Sequence, residues 1–257
     1  MSRHDGGAAA RPPGLHLLAL EGRAPWELMA SLAGWPLLSR APRGDGHPVL
    51  LLPGLGASDV STAPLRRFLQ SRGYSPHRWR LGVNLGFRPQ LFDATRERLR
   101  ALHSRSGRRI SLIGWSLGGL YARELAKADP DRVRQVITLG TPFTGNLHSS
   151  RASWLYRRLN RSVAEPAPAQ IDSLRHAPPV PTTSIFSRSD GIVSWHCSIQ
   201  PPGDGTESIA VIASHLGLGV NPSVFWLLAE RLSQAEADWR PFETSGWRRL
   251  VYRTVAN

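Results

Sequence analysis

Residues 110–120 read Ile-Ser-Leu-Ile-Gly-Trp-Ser-Leu-Gly-Gly-Leu, with Ser116 between Gly114 and Gly118 at the spacing G-x-S-x-G. The apolar run 110–113 reads as a buried strand, and 120–126 as a helix. A serine on so tight a strand-to-helix turn is held in strained geometry, and the flanking glycines remove Cβ atoms that would clash. The helix N-terminus then points at the hydroxyl. The chemistry such a serine can do is nucleophilic attack. The plainer alternative is a Gly-rich connection whose serine caps the helix; the strand before it and the helix after it favour the nucleophile.

A hydroxyl is a weak nucleophile until a base takes its proton and an acid orients that base. On turns of this type the chain order is Ser, then Asp or Glu, then His. Asp190 lies in the loop after a predicted strand at 182–187, and His215 lies just after the last predicted strand, 208–213. Both therefore project to the sheet edge that carries Ser116. Among the nine histidines, His77 and His103 precede the serine, His148 and His176 fall in an irregular stretch, and His196 follows no strand. For the acid, Asp204 and Glu207 read as turn residues and Asp172 lies too far upstream, which leaves Asp190 first. An acyl-transfer site also needs backbone N–H donors where the oxygen becomes negative. The Gly-rich turn 53–58 after the strand 47–52 offers Leu55 N–H, and the residue after the serine offers Leu117 N–H.

The elements that carry these residues alternate. Strand 47–52, helix 61–72, strand 74–81, helix 89–104, strand 110–113, a helix to Ala128 and strand 133–139 predict an α/β chain with a mostly parallel sheet of about six strands, helices on both faces and the site at the strands' carboxyl ends. The pattern lapses over 143–181, which is too long for a simple connection and reads as a lid or cap insertion. A helix at 222–232 closes the catalytic domain, 47–234, and 235–257 is left as a C-terminal tail. Ahead of the domain, 1–46 forms an N-terminal tail and an apolar helical segment. Residues 1–13 have a disordered composition, and 14–39 reads as a helical hairpin or a long helix broken near Pro25. The apolar face of that segment packs on the domain, covers the site mouth or touches lipid; packing is the commonest fate.

At 257 residues and 41% hydrophobic content, the chain can bury one large core. The formal charge of +13 invites a nucleic-acid partner, yet 31 of the 32 basic residues are arginines scattered outside any nucleic-acid motif. Solvated faces are the first reading of that charge, and peripheral contact with an anionic membrane is the second. Cys197 is the only cysteine, which precludes an intrachain disulfide. No apolar run reaches the length of a membrane span and no signal peptide is evident, so the expected location is the cytoplasm. Asn160-Arg161-Ser162 fits a glycosylation sequon and reads as accidental there.

Pro53-Gly54-Leu55-Gly56, Gly114-Trp115-Ser116-Leu117-Gly118-Gly119, Gly140-Thr141-Pro142, Ser189-Asp190-Gly191-Ile192-Val193 and Ser214-His215-Leu216 together resemble the α/β-hydrolase superfamily. Within it, the chain is similar to compact bacterial lipases and esterases and the GPI inositol-deacylase-like group. The resemblance covers residue 47 to about 234. It implies Ser116 as nucleophile, His215 as base, Asp190 as its orienter, Leu55 and Leu117 as oxyanion donors, and neither metal nor cofactor. Two departures stand out: Pro53-Gly54 replaces the His-Gly of many lipases, and the two strands that open larger members are missing before His47. The implied activity is hydrolysis of hydrophobic or lipid acyl esters through an acyl-enzyme. An acyltransferase with the same triad is the alternative, and a non-catalytic binding protein is disfavoured because every triad position is filled.

Overall fold

The computed structural model describes residues 12–144, 150–151, 153–159 and 168–255. Most of the tail 1–13, His148, and the sequon at Asn160 lie outside them. The sheet is built on Pro48–Leu52 (β1), which is buried at every residue. Its side chains divide between two apolar clusters, Val49 and Leu51 on one face and Leu50 and Leu52 on the other. A strand covered on both faces is what crossover helices in a parallel sheet require.

Ser75–His77 (β2), Ile110–Trp115 (β3), Val133–Leu139 (β4), Thr182–Ser187 (β5), Thr206–Val211 (β6) and Arg253–Thr254 (β7) complete a seven-stranded sheet in the order β2-β1-β3-β4-β5-β6-β7. All pairs are parallel except β6 with β7. The expected count of about six is met by the parallel strands. The seventh comes from the C-terminal tail, where Tyr252 and Phe242 are buried against the core beside β7. Strand bounds also shift: β1 starts one residue later than expected, β2 keeps only three residues of 74–81, β3 runs two residues past 113, and β6 begins and ends two residues early.

Leu15–Ala19 (α1), Ala24–Ala33 (α2) and Trp35–Leu38 (α3) precede the sheet, and a 3-10 turn, Leu20–Arg23, joins the first two. The helical run is interrupted just ahead of Pro25, as its position suggests. Pro25 sits in the first turn of α2, where its missing N–H has no intrahelical partner to lose. The helices Ala63–Ser71 (α4) and Pro222–Leu232 (α9) cover one face, with Phe68 stacked on Phe225 at 4.9 Å. On the other face lie Pro89–Ser106 (α5) and Leu117–Ala128 (α6). Gly107, at φ 62°, ends α5 in the left-handed conformation that caps helices. Between β4 and β5 run Ser153–Leu159 (α7) and Pro168–Arg175 (α8). Arg123 of α6, fully buried, anchors the end of α8 by donating to the carbonyls of Leu174 and His176 at 3.1 and 2.9 Å.

Candidate active site

β3 runs through Trp115 into Ser116, whose φ of 53° and ψ of −121° are rare for a residue with a Cβ. The turn is enforced by close backbone approach. A Cβ on Gly114 would overlap the backbone of Gly118 and Gly119, one on Gly118 would overlap Leu52 O, and one on Gly119 would overlap Thr141 Oγ1. Three hydrogen bonds hold the strained residue: Ser116 N–H donates to Leu139 O at 2.8 Å, and Ser116 O accepts Gly119 N–H at 3.0 Å and the Thr141 hydroxyl at 2.9 Å. Such strain persists only where the surroundings over-determine it.

The loop after β5 places Asp190 and the loop after β6 places His215, both nearly fully buried. Asp190 Oδ2 lies 2.6 Å from His215 Nδ1. Its other oxygen, Oδ1, accepts the N–H groups of Ile192 and Val193 at 2.9 and 2.7 Å, so the carboxylate cannot turn away. Burial opposes a charged ring on His215, but the Asp190 carboxylate, by charge and hydrogen bond, and Glu21 outweigh it and hold the imidazole pKa above its ordinary 6.5. Gly140, just past β4, lies against both partners: a Cβ there would come 3.0 Å from His215 Nδ1 and 3.1 Å from Asp190 Oδ2.

Ser116 is tied to this pair through its neighbour, because Trp115 Nε1 donates to His215 O at 3.1 Å. Ser116 Oγ itself makes no hydrogen bond to His215 among the described residues. That contact is often loose in ligand-free enzymes and tightens with substrate.

Leu55 and Leu117 both border the cleft at Ser116, together with Leu120, Pro142, Tyr156 and Val193. Asn84, fully buried, ties down the Leu55 loop. Its side chain donates to Pro53 O at 2.8 Å, its N–H donates to Ala57 O at 2.8 Å, and its carbonyl accepts from Gly56 N–H at 2.7 Å. A Cβ on Gly54 would lie 3.2 Å from Ser116 Cβ, so this loop's backbone abuts the serine directly. The cleft holds a cavity of about 50 Å³ between these apolar walls.

The alternative residues lie elsewhere. Glu207 is buried at the start of β6, away from the strands' carboxyl ends, where it pairs with Arg231 at 2.8 Å. Asp204 and Asp172 are exposed, His196 stacks on Trp195, His77 lies on the edge strand and His103 lies in the last turn of α5. His176 is exposed, and its carbonyl accepts from Arg123.

No family model matches the chain. Over 99 residues it is 31% identical to a pimeloyl-[acyl-carrier protein] methyl ester esterase of Aliivibrio salmonicida (strain LFI1238), a stretch covering 38% of this chain and 37% of that protein. The mature form of Bacillus licheniformis lipase BlEst2 superposes with a TM-score of 0.58 at 17% identity, over 76% of this chain and 95% of the other. Aspergillus fumigatus lipase B gives 0.54 at 18% identity, over 74% and 53%. The chain has the α/β-hydrolase fold.

In an open parallel α/β sheet ligands bind at the carboxyl ends of the strands, and the loops after β1, β3, β5 and β6 bring Leu55, Ser116, Asp190 and His215 to that edge. Two further residues at this site escape motif reading, Asn84 behind the Leu55 loop and Glu21 behind His215, while Thr141 behind Ser116 falls in the Gly140-Thr141-Pro142 motif. For Thr141, the Gly-Thr-Pro that ends a strand beside the elbow is a usable signal. The other two act by hydrogen bonds to the backbone across long sequence separations, which no local spacing encodes.

Proposed function

We propose that this chain is a serine carboxylester hydrolase acting on hydrophobic acyl esters through an acyl-enzyme. The observation that carries this reading is the buried Asp190–His215 contact of 2.6 Å beside a serine held in a strained elbow. Ser116 Oγ attacks the ester carbonyl carbon while His215 Nε2 accepts its proton, and Asp190 stabilises the resulting imidazolium. The carbonyl oxygen, now negative, is received by the N–H groups of Leu55 and Leu117. The C–O bond to the alcohol breaks as His215 Nε2 returns the proton to the leaving oxygen. Water, deprotonated by the same nitrogen, then attacks the acyl-Ser116 ester, and the acid departs as the serine is re-protonated.

The apolar walls of the cleft support an acyl substrate, and segment 143–181 is the proposed lid, with Tyr156 of α7 on the cavity. A cavity of this size has room for a few water-sized groups, so short esters are the first substrates to test. The test is release of p-nitrophenol from p-nitrophenyl butyrate. Ser116→Ala is expected to lose at least about 10³-fold in kcat. Equal rates in wild type and variant would overturn the assignment.

A second reading, peripheral contact with an anionic membrane from the cytoplasmic side, is favoured by the outer face of α1–α3. Leu15, Trp26, Met29, Leu32 and Leu37 are 56–75% exposed there. The segment's acidic and arginine side chains turn inward instead: Glu21, Arg23 and Glu27 all bond to the loops around Asp190 and His215. The result is an uncharged apolar face with the exposed arginines Arg40 and Arg43 at its exit, the composition of an element that lies in a membrane interface. Among the described residues no helix is long and apolar enough to cross a membrane.

A further inference from the structure

Glu21 lies in the 3-10 turn between α1 and α2 and is only 6% exposed. A carboxylate so buried needs a full set of donors, and it finds them on the two loops that hold the acid–base pair. Glu21 Oε1 accepts Gly191 N–H at 2.7 Å and His215 N–H at 2.9 Å, and Oε2 accepts Leu216 N–H at 2.9 Å. One oxygen atom thus bridges the residue after Asp190 and His215 itself, although the two loops belong to different strands. Gly191 permits the approach, since a Cβ there would overlap Leu17 O and come 2.8 Å from Leu18 Cα.

A second clamp reinforces the first without reaching His215. Glu27 Oε1 accepts Ser214 N–H at 2.8 Å, its Oε2 accepts the Asn221 side chain at 2.9 Å, and Arg23 joins Glu27 to the Ser189 hydroxyl at 3.0 and 2.6 Å.

We propose that Glu21 is a positioning residue for the acid–base pair: its carboxylate, delivered from outside the sheet, fixes the separation and orientation of the Asp190 and His215 loops. This rests on the hydrolase reading above. Asp190 approaches the imidazole from the β5 loop, Glu21 from the N-terminal turn, and the Glu27–Arg23 pair lies behind Ser214. Trp115, from β3, presents only a neutral indole N–H to the loop. Glu21 therefore also contributes negative charge that favours the protonated ring.

The test compares wild type, Glu21→Gln, Glu21→Asp, Glu27→Gln and Ser116→Ala. It measures kcat, KM and the pH profile of kcat/KM on p-nitrophenyl butyrate, and titrates the His215 ring by NMR. Glu21→Gln loses the charge and presents an amide N–H₂ to a backbone donor. Its kcat is expected to fall roughly 10- to 100-fold with little change in KM, the scale of a small misplacement of catalytic groups. Its acid limb and its NMR titration should both move to lower pH. Glu21→Asp keeps the charge but is one methylene too short to span both loops, so kcat falls while the titration stays near wild type; it also serves if Glu21→Gln does not fold. Glu27→Gln is expected to leave the His215 titration unmoved.

An unchanged kcat and titration in Glu21→Gln, an unchanged kcat in Glu21→Asp, or an equal titration shift in Glu27→Gln would overturn the proposal. If Ser116→Ala hydrolyses as fast as wild type, the nucleophile assignment fails instead, and the NMR titration still decides the role of Glu21.

Discussion

The indole N–H of Trp115 donates to the carbonyl oxygen of His215 at 3.1 Å, joining the residue before the elbow serine to the histidine across 100 positions of sequence. The ring also packs against Gly219, where a Cβ would come 2.9 Å from its Cζ3 atom. Trp115→Phe keeps much of the aromatic packing and removes the donor, leaving the His215 carbonyl to water. One neutral hydrogen bond is worth about 1 kcal/mol, so kcat on p-nitrophenyl butyrate is expected to fall about 5-fold with KM little altered. A KM rise at constant kcat would show that the bond serves substrate binding instead.

The pH behaviour of His215 has two opposed consequences. Its pKa is raised in the folded protein, so below the ordinary 6.5 the protonated ring contributes stability, which is lost as pH rises through the folded value. On the proposed mechanism activity runs the other way, because the base must be neutral: kcat/KM should rise through an acid limb lying above 6.5. Asp190→Asn removes the main partner that raises the pKa, so the limb should move to lower pH while kcat falls roughly 10³- to 10⁴-fold. Profiles of kcat/KM against pH for the two proteins check both statements; superimposable acid limbs would refute the coupling.

Gly119 faces the Thr141 hydroxyl so closely that a Cβ would overlap it. Gly119→Ala should push Thr141 away from Ser116 O and destabilise the fold by about 1–3 kcal/mol through overpacking. Thermal denaturation reads the loss, and kcat reads the release of the elbow. An unchanged midpoint would mean that Thr141 moves without cost.

The outer face of α2 lends itself to a vesicle test. Flotation with phosphatidylglycerol vesicles should carry wild type upward, and phosphatidylcholine vesicles should carry less of it, because the +13 chain gains only from anionic headgroups. The double substitution Trp26→Ser with Leu32→Ser removes two exposed apolar side chains. Each is worth about 1.5–3 kcal/mol when fully buried, so binding should weaken by at least roughly tenfold while hydrolysis of a soluble short ester persists. Equal flotation of the two proteins would remove the membrane reading.

Residue order along the chain was enough to locate the elbow, the order Ser116, Asp190, His215 and the Gly-rich turn at Leu55. Each sits at a strand end, where period and glycine placement report backbone geometry directly. It also predicted the parallel sheet, because buried strands alternate with helices from 47 to 140. The N-terminal segment was another matter. Its apolar spacing points to an inward apolar face, yet Glu21 and Ser31 are buried while Leu15, Trp26 and Met29 are out. Folding brings the segment over the loops at Gly191 and Ser214–Leu216, whose buried N–H groups need acceptors, and leaving such donors unpaired costs more than leaving leucines wet. The same applies to β7: two exposed residues carry no strand signal until β6 offers them an open edge. Local pattern reports what a segment prefers alone, whereas partners remote in sequence settle which of its faces turns inward.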